Sequence, residues 1–168
     1  MTEQEILHTM ALTRIPRVNT AMQRRLLTEL GSASAVFEHR HHIREVIPDA
    51  SDKLAASLAQ MELYATRAEE ELEFALRNKI RCLCYNDSDY PFRLRECDDA
   101  PLLLYYKGNA ELNRAHVINM VGTRHCTEYG KDICRRFVAE LKDLYPDVLI
   151  VSGLAYGVDI HSHRAALD

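Results

Sequence analysis

Apolar residues recur at helical spacing through residues 1–78. Ile6 and Met10 lead towards Ile15; after Pro16, the run Thr20 to Leu30 puts Met22, Leu26, Leu27 and Leu30 on one side, with Gly31 placed to end the helix. A short helix around Ile43 to Ile47 stops at Pro48. Leu54, Leu58, Met61, Ala65, Ala68, Leu72 and Ala75 then repeat at intervals of three and four, with Ser51 or Asp52 as N-cap. That stripe predicts one helix of roughly 25 residues, about 38 Å long, packed along one side. Glu69, Glu70 and Glu73 mark its solvated face.

From Lys79 the composition shifts to β-branched and aromatic residues, which predicts a division into a helical domain, 1–78, and a second domain, 79–168. Strands are expected at Ile80 to Tyr85 and Leu102 to Tyr106, separated by a charged loop holding Pro91. Val117 to Val121 reads as a buried strand and Glu128 to Leu144 as an amphipathic helix burying Ile133, Phe137, Leu141 and Leu144. Val148 to Ser152 is a second buried strand, and Gly157 to Leu167 a last helix. The order strand, helix, strand, helix is a βαβ unit with parallel strands and a right-handed crossover. With no cap and no further strand before Asp168, the α/β part reads as the first portion of a longer, truncated parallel sheet. The strand edge left open invites pairing with a second copy, hence a homodimer.

Composition narrows the class. No apolar run approaches a membrane span, and Met1 is followed by acids rather than a basic and then apolar leader, so a soluble, cytoplasmic protein is expected. With 21 Lys and Arg against 25 Asp and Glu, the net charge of −4 does not announce a nucleic-acid binder. The average hides patches: Arg14, Arg17, Arg24 and Arg25 fall in a stretch without acids, and four glutamates crowd positions 69–73. Five cysteines, an odd number without paired spacing, read as reduced thiols. Cys82 and Cys84 share one strand face but lack a partner pair, so buried strand cysteines are expected and no metal.

The candidate chemistry lies where the two parallel strands end. One ends in Gly122-Thr123-Arg124, the other in Ser152-Gly153-Leu154-Ala155-Tyr156-Gly157. Loops from adjacent carboxyl ends of a parallel sheet form one concave site. Gly153 and Gly157 let backbone N–H groups approach an anion, Ser152 adds a hydroxyl, and the following helix turns its positive end there. Arg124 can fork two hydrogen bonds to a phosphate. The glycine spacing is neither the GxGxxG fingerprint nor a P-loop, so NAD and ATP are disfavoured and no cofactor is expected. On a helix, Asp159 and His163 share a face while His161 lies about 200° away, so the three cannot converge on one ion. Asp159 and His163 are expected to bond across the helix start. His39, His41 and His42, interleaved with Arg40 and Arg44, read as a solvated face.

The segment Arg14-Ile15-Pro16-Arg17-Val18-Asn19, leading into Met22 to Leu30 and Gly31-Ser32-Ala33, resembles a helix-hairpin-helix, the motif whose hairpin glycines bring backbone amides onto a DNA phosphate. Arg17 and Asn19 stand where glycines are usual, which leaves either a structural hairpin or a secondary DNA contact through Arg17, Arg24 and Arg25.

Further motifs carry a family resemblance: Tyr90-Pro91-x-Arg93-Leu94, Asp99-Ala100-Pro101, Lys107-Gly108-Asn109, Val121-Gly122-Thr123-Arg124, Tyr129-Gly130, Ser152 to Asp159, His163 and Ala166-Leu167. In order and spacing they resemble the DNA-processing family called DprA or Smf over residues 80–167, and the helical front looks like that family's N-terminal domain. The resemblance implies a bacterial protein of natural transformation that binds and protects incoming single-stranded DNA and loads the recombinase RecA, without catalysis. It implies an extended Rossmann-like domain behind a helical, helix-hairpin-helix or SAM-like front. It also implies a phosphate pocket lined by Gly122, Thr123, Arg124, Ser152, Gly153 and Ala155. Two other readings stand beside it: a nucleotide phosphoribohydrolase on a related sheet, and a protein-interaction module.

Overall fold

The computed structural model describes residues 1–168 in two compact units, Met1–Ala110 and Glu111–Asp168. The fold is mixed helix and sheet, and each unit has its own core.

In the first unit, α1 (Glu3–Arg14) starts at Thr2, whose hydroxyl accepts the Glu5 N–H, and α2 (Thr20–Leu30) ends on Gly31 in the left-handed region, as its sequence predicts. A helix the hydrophobic spacing did not signal, α3 (Ala33–Glu38), follows at once, capped by Ser32. Glu5 reaches its start from α1. One carboxylate oxygen accepts the Ala33 N–H at 2.6 Å; the other accepts the Ser34 N–H at 2.9 Å and the Ser34 hydroxyl at 2.6 Å. An anion thus already sits at that helix N-terminus, and it belongs to the chain itself. The short α4 (Ile43–Val46) ends before Pro48.

The single long helix expected from Leu54 to Ala75 is two. α5 (Asp52–Ala59) gives way at Gln60 to a 3-10 turn (Met61–Tyr64), and α6 (Ala65–Arg77) follows. The periodicity counted across the break because both halves are amphipathic. Leu54, Leu58 and Met61 bury among Leu12, Leu26, Val36 and Ile43, whereas Ala68 and Leu72 bury against Met10. The fully buried Met61 opens the 3-10 turn that separates the half serving one cluster from the half serving the other.

β1 (Arg81–Cys84) and β2 (Leu103–Tyr106) form an antiparallel pair in which Cys84 faces Leu103 and Arg81 faces Tyr106. Cys84 is buried and Cys82 half-buried; all five cysteines are free. The loop between the strands holds one helical turn, α7 (Phe92–Arg95), and folds onto the helices. Tyr90 is fully buried, its hydroxyl donating to the Pro101 carbonyl at 2.7 Å, and Arg24 on α2 donates to the carbonyls of Cys97 and Asp98, both at 2.7 Å. Leu102 completes the core built by Leu26 and Leu58. By packing, therefore, the antiparallel pair belongs with the helices. The change of composition near Lys79 marks a switch from helix to strand inside the first unit, and the compact units part at Ala110 and Glu111.

The second unit is the expected βαβα order. β3 (Val117–Asn119) pairs in parallel with β4 (Leu149–Val151), Ile118 opposite Ile150, and α8 (Glu128–Leu144) and α9 (Val158–Leu167) pack on each other. The buried face of α8 differs from the expected one. Cys134 and Val138 are buried, with Leu141 beside them, while Ile133, Phe137 and Leu144 are 40%, 43% and 72% exposed. The two apolar stripes lie side by side on the helix. Ala165 of α9 and Ile150 of β4 meet the one centred on Val138, so it alone is covered.

Candidate functional site

The loop after β3 and the loop after β4 come together through their backbones. The Val158 N–H, opening α9, donates to the Thr123 carbonyl at 3.2 Å. Two glycines permit the approach. A Cβ on Gly122 would lie 2.6 Å from Val158 Cγ2, and one on Gly157 would lie 2.1 Å from the Thr123 oxygen. Gly157 also holds φ +80° and ψ −127°, a region that an L side chain disfavours. The close approach puts Arg124 beside the start of α9.

Within each loop the polar side chains turn on their own backbone. Thr123 Oγ1 accepts the His125 N–H at 3.1 Å, and Ser152 Oγ accepts the Leu154 N–H at 3.1 Å. Leu154 takes φ +53°, which folds the loop back toward α9. Asp159, only 4% exposed, accepts the Ala155 N–H on Oδ2 at 3.4 Å, and the same oxygen stands 3.3 Å from where a Gly153 Cβ would be. The Asp159 bond therefore goes back to the loop rather than across the helix to His163. The N–H groups of Gly153, Tyr156 and Gly157 find no backbone acceptor in the chain.

Arg124 lines a cavity of about 520 Å³ together with Lys131, Tyr156, Gly157, His161 and Arg164. The predicted residues Gly122, Thr123, Ser152, Gly153 and Ala155 shape the loops but do not line it. Lys131, His161 and Arg164 were missed because helical spacing within α8 and within α9 gives no sign that the two helices pack together and line one cavity. Spacing did signal that His161 leaves the Asp159 face, and the cavity is on the side it leaves for. One carboxylate stands close, Glu128, paired with Lys131 at 2.6 Å on the exposed surface. His161 titrates below the ordinary histidine value, first from desolvation and then from the Lys131, Arg164 and Arg135 charges, with Glu128 opposing them.

The arginines of the segment that resembles a helix-hairpin-helix fare differently from one another. Arg17, exposed at the hairpin turn, has φ +68°, the left-handed conformation a glycine would take there. Arg24 is engaged with Cys97, Asp98 and Tyr85. Arg25 pairs with Glu29 at 2.6 Å and Asp49 at 2.8 Å. No cluster of His, Cys, Asp and Glu could hold a metal ion, and no helix is long and apolar enough to cross a membrane.

Strand-end loops that gather cations on a parallel βαβα unit, following a helical unit in the chain, place it among mixed helix-and-sheet proteins with a partly Rossmann-like parallel sheet. Comparison with known proteins makes that specific: the sequence profile of the DNA recombination-mediator protein A family matches residues 81–168, and the chain belongs to that family. It is 41% identical over 82 residues to the DNA processing protein DprA of Streptococcus pneumoniae, covering 49% of this chain and 28% of that protein. To DprA of Bacillus subtilis it is 28% identical over 154 residues, covering 91% and 51%. The X-ray structure of DNA processing protein A from Streptococcus pneumoniae superposes with a TM-score of 0.68 at 26% identity, over 99% of this chain and 54% of that one. The chain thus spans between about a quarter and a half of the length of these relatives.

Proposed function

We propose that the chain acts in the bacterial cytoplasm as a single-stranded DNA binding component of recombination, protecting incoming DNA during transformation and passing it to RecA, with no reaction of its own. In sequence terms 1–78 would be its helical front and 79–168 its family module, since the family match begins at residue 81, even though the compact units part at Ala110 and Glu111. A homodimer is part of the same reading. The observation that carries it is the close approach of the two strand-end loops at Thr123 and Gly157, which sets Arg124 among cations at a helix start. Gly122, Thr123, Ser152, Gly153 and Ala155 form the loops that hold a backbone phosphate at that place, and Arg124 forks onto it. Arg17 is the arginine of the hairpin best placed for a secondary contact, since Arg24 and Arg25 already hold partners.

Fluorescence anisotropy with a labelled single-stranded oligonucleotide tests the reading. Arg124→Ala should weaken binding several-fold and lower the log-log salt slope by about 0.7, the value for one phosphate contact on a single strand. Unchanged affinity and slope would remove Arg124 from the interface.

A further inference from the structure

The cavity beyond Arg124 is larger than one guanidinium contact needs. Its volume, about 520 Å³, falls in the range that takes a nucleotide-sized group. It is also strongly one-signed. Lys131 reaches it from the second turn of α8, and His161 and Arg164 reach it one turn apart from α9. Arg124 and His125 close it from the loop after β3. Against these stands Glu128, 85% exposed at the side chain, whose pair with Lys131 water screens. Tyr156 stands at the rim, 82% exposed, with its ring face free for a base. Because Arg124 itself lines the cavity, an extended, unpaired strand held there would bring its neighbouring phosphate towards Lys131 and Arg164.

We propose that the cavity lined by α8, α9 and the loop after β3 is a second phosphodiester subsite, with Lys131 and Arg164 as its permanent ligands and His161 as a third when protonated. The subsite rests on the single-strand reading above and extends it by one nucleotide. The charged groups acting on His161 are Lys131, Arg135 and Glu128 of α8 and Arg164 of its own helix, and Arg124 and His125 of the loop after β3 line the same cavity. Desolvation first, then the charges of Lys131, Arg164 and Arg135, lower the His161 pKa against Glu128, and a phosphate bound among those cations opposes the shift. Binding therefore takes up a proton, and affinity rises as the pH is lowered through the histidine range.

Two measurements on the whole chain test it. In anisotropy titrations with a labelled oligothymidylate, Lys131→Gln and Arg164→Gln should each weaken binding several-fold and reduce the salt slope. Arg136→Gln, which removes the same charge from α8 away from the cavity, should leave both unchanged. His161→Gln should abolish the gain in affinity at lower pH. Independently, the His161 ring should titrate at higher pH, by NMR, when inorganic phosphate or the oligonucleotide is added. If Arg124→Ala weakens binding while Lys131→Gln and Arg164→Gln do not, the subsite falls and the first reading stands. If inorganic phosphate moves the His161 titration but no oligonucleotide binds, the cavity is an anion site and the single-strand reading falls. A His161 titration indifferent to both additions overturns the subsite outright.

Discussion

Replacing Gly157 by alanine tests the junction on which the candidate site depends. The residue takes φ +80° and ψ −127°, a conformation that costs an L residue about 1–3 kcal/mol. Its new Cβ would stand 2.1 Å from the Thr123 carbonyl oxygen and 2.8 Å from the Arg124 carbonyl carbon. Both are backbone atoms that no rotamer change can move aside, so the loop after β3 must retreat by about 1 Å, an overpacking cost of about 1–3 kcal/mol. Partial relaxation leaves an expected loss of about 2–4 kcal/mol for the Glu111–Asp168 unit. Gly153→Ala is the contrast, because its Cβ meets a side-chain atom, Asp159 Oδ2, at 3.3 Å, and its φ is not positive. That change should cost about 1 kcal/mol or less. Urea denaturation followed by circular dichroism reads the stabilities, and amide exchange at Val158 reads the bond to Thr123 directly. The Gly157 variant should lose Val158 protection and single-strand affinity together. If it matched the parent in stability and protection, the close backbone approach would be refuted.

In the helical unit, Arg17→Gly should stabilise by about 0.5–1 kcal/mol, because relief of left-handed strain exceeds the extra freedom glycine gives the unfolded chain. An unchanged urea midpoint would contradict that strain. Glu5→Ala leaves the Ala33 and Ser34 N–H groups without their carboxylate and should destabilise the same unit by about 2 kcal/mol, measured in the same way. Burial alone would raise the Glu71 pKa, but hydrogen bonds from Tyr105 and Arg14 and the charges of Arg14 and Arg67 leave it below the ordinary 4.5. Its stabilisation is complete above that ordinary value and is lost as the pH falls through the folded one, so Glu71→Gln should flatten the acid limb of the stability profile. A parent-like acid limb in the variant would assign acid sensitivity to other groups.

Much of the local structure was legible along the chain because its causes are local. Gly31 ends α2, Ser51 caps α5, and the run of Val, Leu and Ile at 148–151 contains β4. The failures share one cause, which is that a periodic stripe reports a buried face without naming what buries it. The stripe from Leu54 to Ala75 spans a break because its halves serve different clusters. Ile133 and Phe137 look as buried as Val138 until α9 covers only the latter. In the candidate site, Arg124 and the glycines announced themselves by following strands. Lys131, His161 and Arg164 look like ordinary surface residues of helices, and they meet at one cavity only because α8 and α9 pack together.

Taken alone, the order of residues determined the helix caps, the parallel βαβα order, the family and the arginine at the end of β3, since each depends on neighbours a few positions apart. The tertiary structure decided that the antiparallel strands join the helices and that Gly157 must be glycine. It also decided that the cations of two helices share a cavity. These depend on distances between residues far apart in sequence, and such distances are set by the packing of whole elements.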